Sequence, residues 1–336
     1  MTPNDLSPTI AALPKAELHL HLEGSIRPEI AVRLAARHGV ALSEDEVRHR
    51  YDYGNFAEFL EAFKWVTSFL KTPDDFAVLG NDVAQQLIDQ HVRYAEVTLS
   101  VGVMLLRKQN PQANFEALLQ ATAPFENELR LNWIFDAVRQ FGADAAMQVV
   151  QWANTCRSSR IVAFGIGGDE LSIPTREFRR IYHAATDCGL RRLIHAGEIG
   201  GVDKIREAVE LLDVDRIGHG IAAIHDSALM DLLSARRIAL EVCPASNVRT
   251  GALAHQLGQT CATLRSHPLP RLLRHGIPVV LSTDDPSMFH VTLTEEYANA
   301  QSMGLSETEL RRLANDSFEF SFLAPDERML LTPRPA

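Results

Sequence analysis

Four short groupings of residues along this chain have the types and spacing for acid–base and metal chemistry. His19 and His21 stand two apart. Side chains alternate faces along a strand, so both rings face one side, which suits two nitrogen ligands on one divalent cation; two partly buried histidines paired with polar neighbours would give the same spacing. His195-Ala196-Gly197-Glu198 adds a third imidazole and a carboxyl group. A carboxyl beside a cation in a water-poor pocket makes a proton shuttle, because its pKa can rise toward neutrality; a lone Glu facing a helix dipole is the structural alternative. In Gly218-His219-Gly220 the glycines let backbone approach closely and leave a fourth ring unobstructed. In Asp284-Asp285-Pro286, two adjacent carboxylates are costly unless a cation or a donor meets them. One can bind metal while its neighbour, pointing away, meets a substrate; Asp285 before Pro286 also fits a helix N-cap. Three imidazoles plus a carboxylate form a nitrogen–oxygen set for Zn²⁺ or a similar first-row ion.

Such side chains converge only if the elements carrying them end in one place. Short apolar runs at 16–22, 92–100, 131–138, 161–166, 192–196, 216–219, 238–243 and 278–283 read as strands with polar or Gly-rich exits. Amphipathic stretches at 144–156, 175–188, 203–212 and 227–235 lie between them. Eight strands each followed by helix predict a closed (β/α)8 TIM barrel, whose sites sit at the C-terminal ends of the strands. An open doubly wound sheet shares the alternation, and the shared strand-end position of the motifs decides for the barrel. About 70 residues separate the first two strands, too many for a plain crossover. They read as helices at 28–37, 56–70 and 73–90 with a turn near 43–50, predicting a helical lid over roughly residues 28–91 within one domain spanning 1–336. Phe59, Leu60 and Phe63 share a face of the lid helix, as ordinary helix core also would.

A formal net charge of −10 and the absence of any long Lys/Arg cluster argue against a nucleic-acid or anionic-membrane partner and for a small molecule. Four cysteines without a C-x-x-C pair make neither a disulfide framework nor a thiolate zinc site. The opening ten residues lack a signal-peptide pattern and no run reaches transmembrane length, so a cytoplasmic location is the expectation. The sequence specifies no oligomeric state, and residues 318–323 are apolar enough to pack on the barrel or on a partner.

The ordered set H-x-H, H-A-G-E, G-H-G, C-P-x-S-N (Cys243 to Asn247) and S-T-D-D-P resembles the adenosine deaminase family of the amidohydrolase superfamily, over nearly the whole chain. The resemblance implies one zinc ion on His19, His21, His195 and Asp284. It implies that Glu198 hands a proton to N1 of a purine, that His219 orients and deprotonates the zinc-bound water, that Asp285 meets N7 and that the Gly168 backbone meets N3. Zinc lowers the pKa of its water, so the implied reaction is hydroxide attack at C6 with loss of ammonia.

Two departures narrow the substrate. Where adenosine deaminases usually place an Asp for the ribose 5′-hydroxyl, this chain has Glu23, as adenine deaminases tend to. Unlike those, it keeps Gly168-Asp169-Glu170 and reads Cys243-Pro244-Ala245-Ser246-Asn247. The hybrid resembles the branch acting on 5′-modified adenosines such as aminodeoxyfutalosine, with Phe59 and Phe63 near the 5′ end and Arg27, Lys64 and Arg249 as candidate partners for an acidic 5′ group. Adenine deamination is the alternative, and a catalytically inactive purine-binding barrel a more distant one. A lactonase or phosphotriesterase generally needs a second metal, often bridged by a carboxylated lysine at a central strand end, and the fourth strand here ends in Gly-Ile-Gly-Gly-Asp-Glu with no Lys, which favours one metal.

Overall fold

A computed structural model describes residues 6–332; the first five residues of the opening stretch and residues 333–336 lie outside it. Eight strands, β1 (Lys15–His21), β2 (Val92–Leu99), β3 (Arg130–Val138), β4 (Ile161–Gly167), β5 (Arg191–Ala196), β6 (Arg216–His219), β7 (Ala239–Val242) and β8 (Val279–Leu281), lie side by side in sequence order, all parallel. The expected strands are all present, shifted by at most two residues at an end. Every residue of β1, β6, β7 and β8 is buried, as strands covered on both faces must be.

The sheet closes through the residues after β8. Asp284 bridges Leu20 in parallel register, its N–H donating to the His19 carbonyl and its carbonyl accepting from the His21 N–H, both at 2.8 Å. The seam of the barrel therefore runs through three of the residues singled out for metal chemistry.

Between β1 and β2 stand four helices, α1 (Pro28–Arg37), α2 (Glu44–Arg50), α3 (Phe56–Thr67) and α4 (Pro73–Asp89). The turn expected near 43–50 is instead the helix α2. Ser43 and Glu46 form a reciprocal capping box there, satisfying backbone donors at its first turn. The segment 318–323 packs on the barrel: Phe318 and Leu323 join Ala16, Leu18, Tyr94, Ala239 and Val280 in a buried cluster at the N-terminal end of the strands. Among the described residues no helix is long and apolar enough to cross a membrane.

Candidate active site

His19 and His21 leave β1 on the same side, His195 ends β5, His219 ends β6 and Asp284 follows β8. All five side chains are buried or nearly so. One ligand atom each from His19, His195, His219 and Asp284 lies within 4.8 Å of the others. His21 falls outside that grouping, yet its Nε2 is 3.3 Å from His195 Nε2 and 3.4 Å from Asp284 Oδ1. His19 Nε2 is likewise 3.4 Å from Asp284 Oδ1. Ligands at zinc distances in a tetrahedron are separated by about 3.4 Å, and these three separations among His19, His21, His195 and Asp284 match that value.

The donor chemistry fits a cation too. His19 Nδ1 donates to Glu241 Oε2 at 2.9 Å and His195 Nδ1 to the Ile166 carbonyl at 3.2 Å, leaving each Nε2 bare and aimed inward. His19 Nε2 is buried with no hydrogen-bond partner. Burial pushes His21, His195 and His219 down to about 3. Burial opposes charge on Asp284, and the His19, His219 and His21 rings around it still hold its pKa well below the usual carboxylate value.

Backbone strain accompanies the arrangement. His219 (φ 61°) and Asp284 (φ 66°) occupy the left-handed region, which costs a non-glycine residue about 1–3 kcal/mol and persists where surrounding structure enforces it. Gly218 serves His19 rather than His219: a Cβ there would stand 2.8 Å from the His19 ring.

Glu198 sits beside this centre, its Oε2 3.7 Å from His219 Nε2. Burial, with Asp284 and Glu170 adding negative field, raises its pKa well above the carboxylic range. Its loop is tied down by Glu170, whose carboxylate accepts from the backbone N–H groups of Gly197, Glu198, Ile199 and Gly200. Gln256 holds the Glu198 and Gly200 carbonyls from the other side, at 2.9 and 2.8 Å. Asp285 is buried, pushed well up by burial and by Asp284, and its Oδ1 has no partner.

These residues floor a cleft of about 830 Å³, counted out to open solvent. Gly168, with φ +94°, lines it together with Glu198 and Asp285. Phe56, Phe59, Leu60 and Phe63 of α3 roof it. Of the three cations considered for a 5′ group, Lys64 lines the cleft, held by Glu61 at 2.6 Å. Arg27 is engaged by Asp82 and Glu29, and Arg249 donates to the Tyr51 carbonyl over the Tyr53 ring.

Glu23 is buried and does not line the cleft. It accepts the Ser100 N–H at 3.0 Å, leaves Oε2 unpartnered, and burial raises it to about 7. The carboxyl that does line the cleft on that side is Asp136, which sequence reasoning missed; burial and the nearby Glu23 raise it to about 8.

The profile of the family described as adenosine deaminase matches residues 14–334. An aminodeoxyfutalosine deaminase of Streptomyces avermitilis is 37% identical, over 96% of this chain and 90% of its own. An adenine deaminase of Streptomyces coelicolor is 36% identical, over 94% and 92%. The crystal structure of an adenine deaminase from Arthrobacter aurescens superposes with a TM-score of 0.87 at 30% identity, covering 95% of this chain and 97% of that one. With motif order, barrel and buried donor set in agreement, the chain belongs to the adenosine deaminase family of hydrolases.

Proposed function

We propose that this protein is a zinc-dependent aminohydrolase that removes the six-amino group of an adenine ring carried on a nucleoside altered at its 5′ position, aminodeoxyfutalosine being the leading instance. The observation that carries the reading is a proton-holding Glu198 beside three inward-facing imidazoles and an ionised Asp284, at the floor of one cleft. His19, His21, His195 and Asp284 would hold the ion. Zn²⁺ bound there supplies a Lewis acid that makes water nucleophilic near neutral pH.

The chain's own groups then act on the ring. Glu198 enters the reaction protonated and hands that proton to N1, drawing electron density from C6. Asp285, also held protonated, donates to N7, a ring atom that only accepts. The Gly168 N–H reaches N3. A water oxygen adds to C6; of its two protons one returns Glu198 to its acid form and the other leaves with the amine, so ammonia departs, N1 keeps the proton Glu198 gave it and C6 keeps the oxygen as the six-oxo ring. The α3 aromatics serve as a lid that excludes water and receives the 5′ substituent, with Lys64 at hand for an acidic group. Glu23, withdrawn beneath Ser100, supports a substrate without a plain 5′-hydroxyl to bind there.

Adenine is the second reading, favoured by the 36% identity to a named adenine deaminase. Steady-state ammonia release from adenine, adenosine, methylthioadenosine and aminodeoxyfutalosine, with and without added zinc, tests both. The expected result is highest kcat/KM on a 5′-modified adenosine and one zinc per chain by plasma emission. A preference for adenine overturns the substrate, and turnover of none overturns the deaminase.

A further inference from the structure

The imidazoles at the centre are not all set the same way. His19 and His195 each donate from Nδ1 to an oxygen that can only accept, so each presents a bare Nε2. His219 has the opposite surroundings. Its Nδ1 lies 3.1 Å from the amide nitrogen of Asn247, a donor. The Asn247 amide oxygen lies 3.2 Å from His267 Nε2, and His267 Nδ1 accepts the backbone N–H of Leu269 at 3.1 Å.

The direction of this chain of bonds is fixed at its far end, because a backbone N–H cannot accept. His267 Nδ1 must therefore be bare. Burial pushes that ring down to about 3, so it is neutral and carries its single proton on Nε2. That proton goes to the Asn247 oxygen, which turns the Asn247 NH₂ toward His219. Reversing the amide would leave His267 with two accepting nitrogens and no proton, a state imidazole does not reach in water. All three side chains are buried, so no solvent competes for these bonds.

We infer that Asn247 and His267 are positioning residues that lock His219 in its Nε2–H tautomer, so that His219 faces the reaction centre as a hydrogen-bond donor rather than as a metal ligand or a neutral base. The N–H enters the space beside Glu198 Oε2 and Asp284 Oδ2, 3.7 and 3.8 Å away. A fixed donor there stabilises negative charge growing on an attacking oxygen. It also assigns the fourth ligand position to His21, although His219 lies in the tighter grouping of ligand atoms. The role implied by family resemblance, removal of a proton by His219, is thereby replaced. The inference rests on the proposal that this cleft is the reaction centre.

The test is two-bond ¹H–¹⁵N correlation on ¹⁵N-histidine-labelled, zinc-loaded enzyme, with His219 assigned from the His219→Asn spectrum. The expected pattern for His219 is a bare Nδ1 and a protonated Nε2. Asn247→Asp replaces the donor by an acceptor. It is expected to move the His219 proton to Nδ1, lower kcat by about a hundredfold, the lower end of what a positioned proton-handling group contributes, and leave KM within about threefold. His267→Gln can both accept from Leu269 and donate to Asn247, so it should keep the wild-type ring pattern and most of kcat, while His267→Phe should lose both. A bare Nε2 on His219 in the wild type, or an unchanged pattern in Asn247→Asp, overturns the inference. The expected spectra with no ammonia released from any purine would sustain the tautomer while removing the deaminase reading.

Discussion

At the N-terminal end of the barrel, Arg216 bonds Glu96 and Glu241, Tyr94 and the Phe322 N–H donate to Glu96, and Lys15 gives its three protons to the carbonyls of Ala11, Leu13 and Gln90. The Arg216 guanidinium also lies 3.8 Å over the Phe322 ring. At the C-terminal end, His19 Nε2, Glu23 Oε2 and Asp285 Oδ1 are just as buried and have no partner. The carboxylates named at the first end are thus paired and those named at the second are left wanting, although single atoms of Arg130 and Asn132 lack partners at the first end as well. Unpaired buried polar atoms cost about 1–3 kcal/mol each, so the cleft is kept at the expense of stability, which the opposite end helps restore. Glu241 joins the two ends, taking Arg216 on one oxygen and His19 on the other.

The largest effect expected on either side is at Glu198. Glu198→Gln should lower kcat by about 10²–10⁴-fold, the contribution of a positioned general acid. Its melting temperature should stay level or rise, because glutamine mimics the protonated state that burial already imposes. An equal loss of activity and stability would erase the distinction between the ends. Next is Arg216→Met, which strands two buried carboxylates and should lower the unfolding free energy by about 3–5 kcal/mol in urea titrations; a change as small as at an exposed site would show that this network is not what holds the barrel.

Zinc removal and return should follow. Adding zinc to chelator-treated enzyme should raise the melting temperature with free zinc, by about 4 kcal/mol in stability at a thousandfold excess over Kd. Asp284→Ala should abolish the response. The smallest effects are pH slopes of opposite sign. Burial opposes charge on Glu241, but Arg216 and His19 hold it at about 2 against 4.5. Its contribution is therefore full above pH 4.5 and lost as pH falls toward 2. Asp136, held at about 8 against 3.8, binds a proton more tightly folded than unfolded, so stability declines as pH rises from about 4 to about 8. In melting curves, Glu241→Gln should flatten the acid limb and Asp136→Asn the neutral one.

Much of this was legible from residue order. Strand ends announce themselves where β-branched runs meet His, Asp or Gly, and the ligand candidates sit at those exits. Asp136 was not legible, because it is a lone acid inside an apolar strand and belongs to no motif; only the three-dimensional neighbourhood of Glu23, Gly165 and Gly167 reveals it. Gln256, and the role of Glu170 within its quoted segment, were hidden for another reason: their partners are backbone groups of a loop near residue 198, which leave no side-chain signature. Asn247 stood in a recognised segment, but its bonds run to His219 and His267, 28 and 20 residues away. The helix at Glu44–Arg50 is readable from the capping pair Ser43 and Glu46, but with Val47 as its single apolar residue it lacks the periodicity that marks a helix. Residues 318–323 needed the barrel itself, whose open end is the surface they cover.

The closure through Asp284 has a topological consequence. His19 and Asp284 belong to the first and last segments of the cylinder, and on that side two backbone hydrogen bonds, which together form one bridge, join them. An ion gripping His19, His21 and Asp284 together would act as a clasp between chain positions 265 residues apart (284 − 19). Loading the protein would then tighten the hoop of strands as well as arm it, and amide exchange at His21 and Asp284 would slow in step with occupancy.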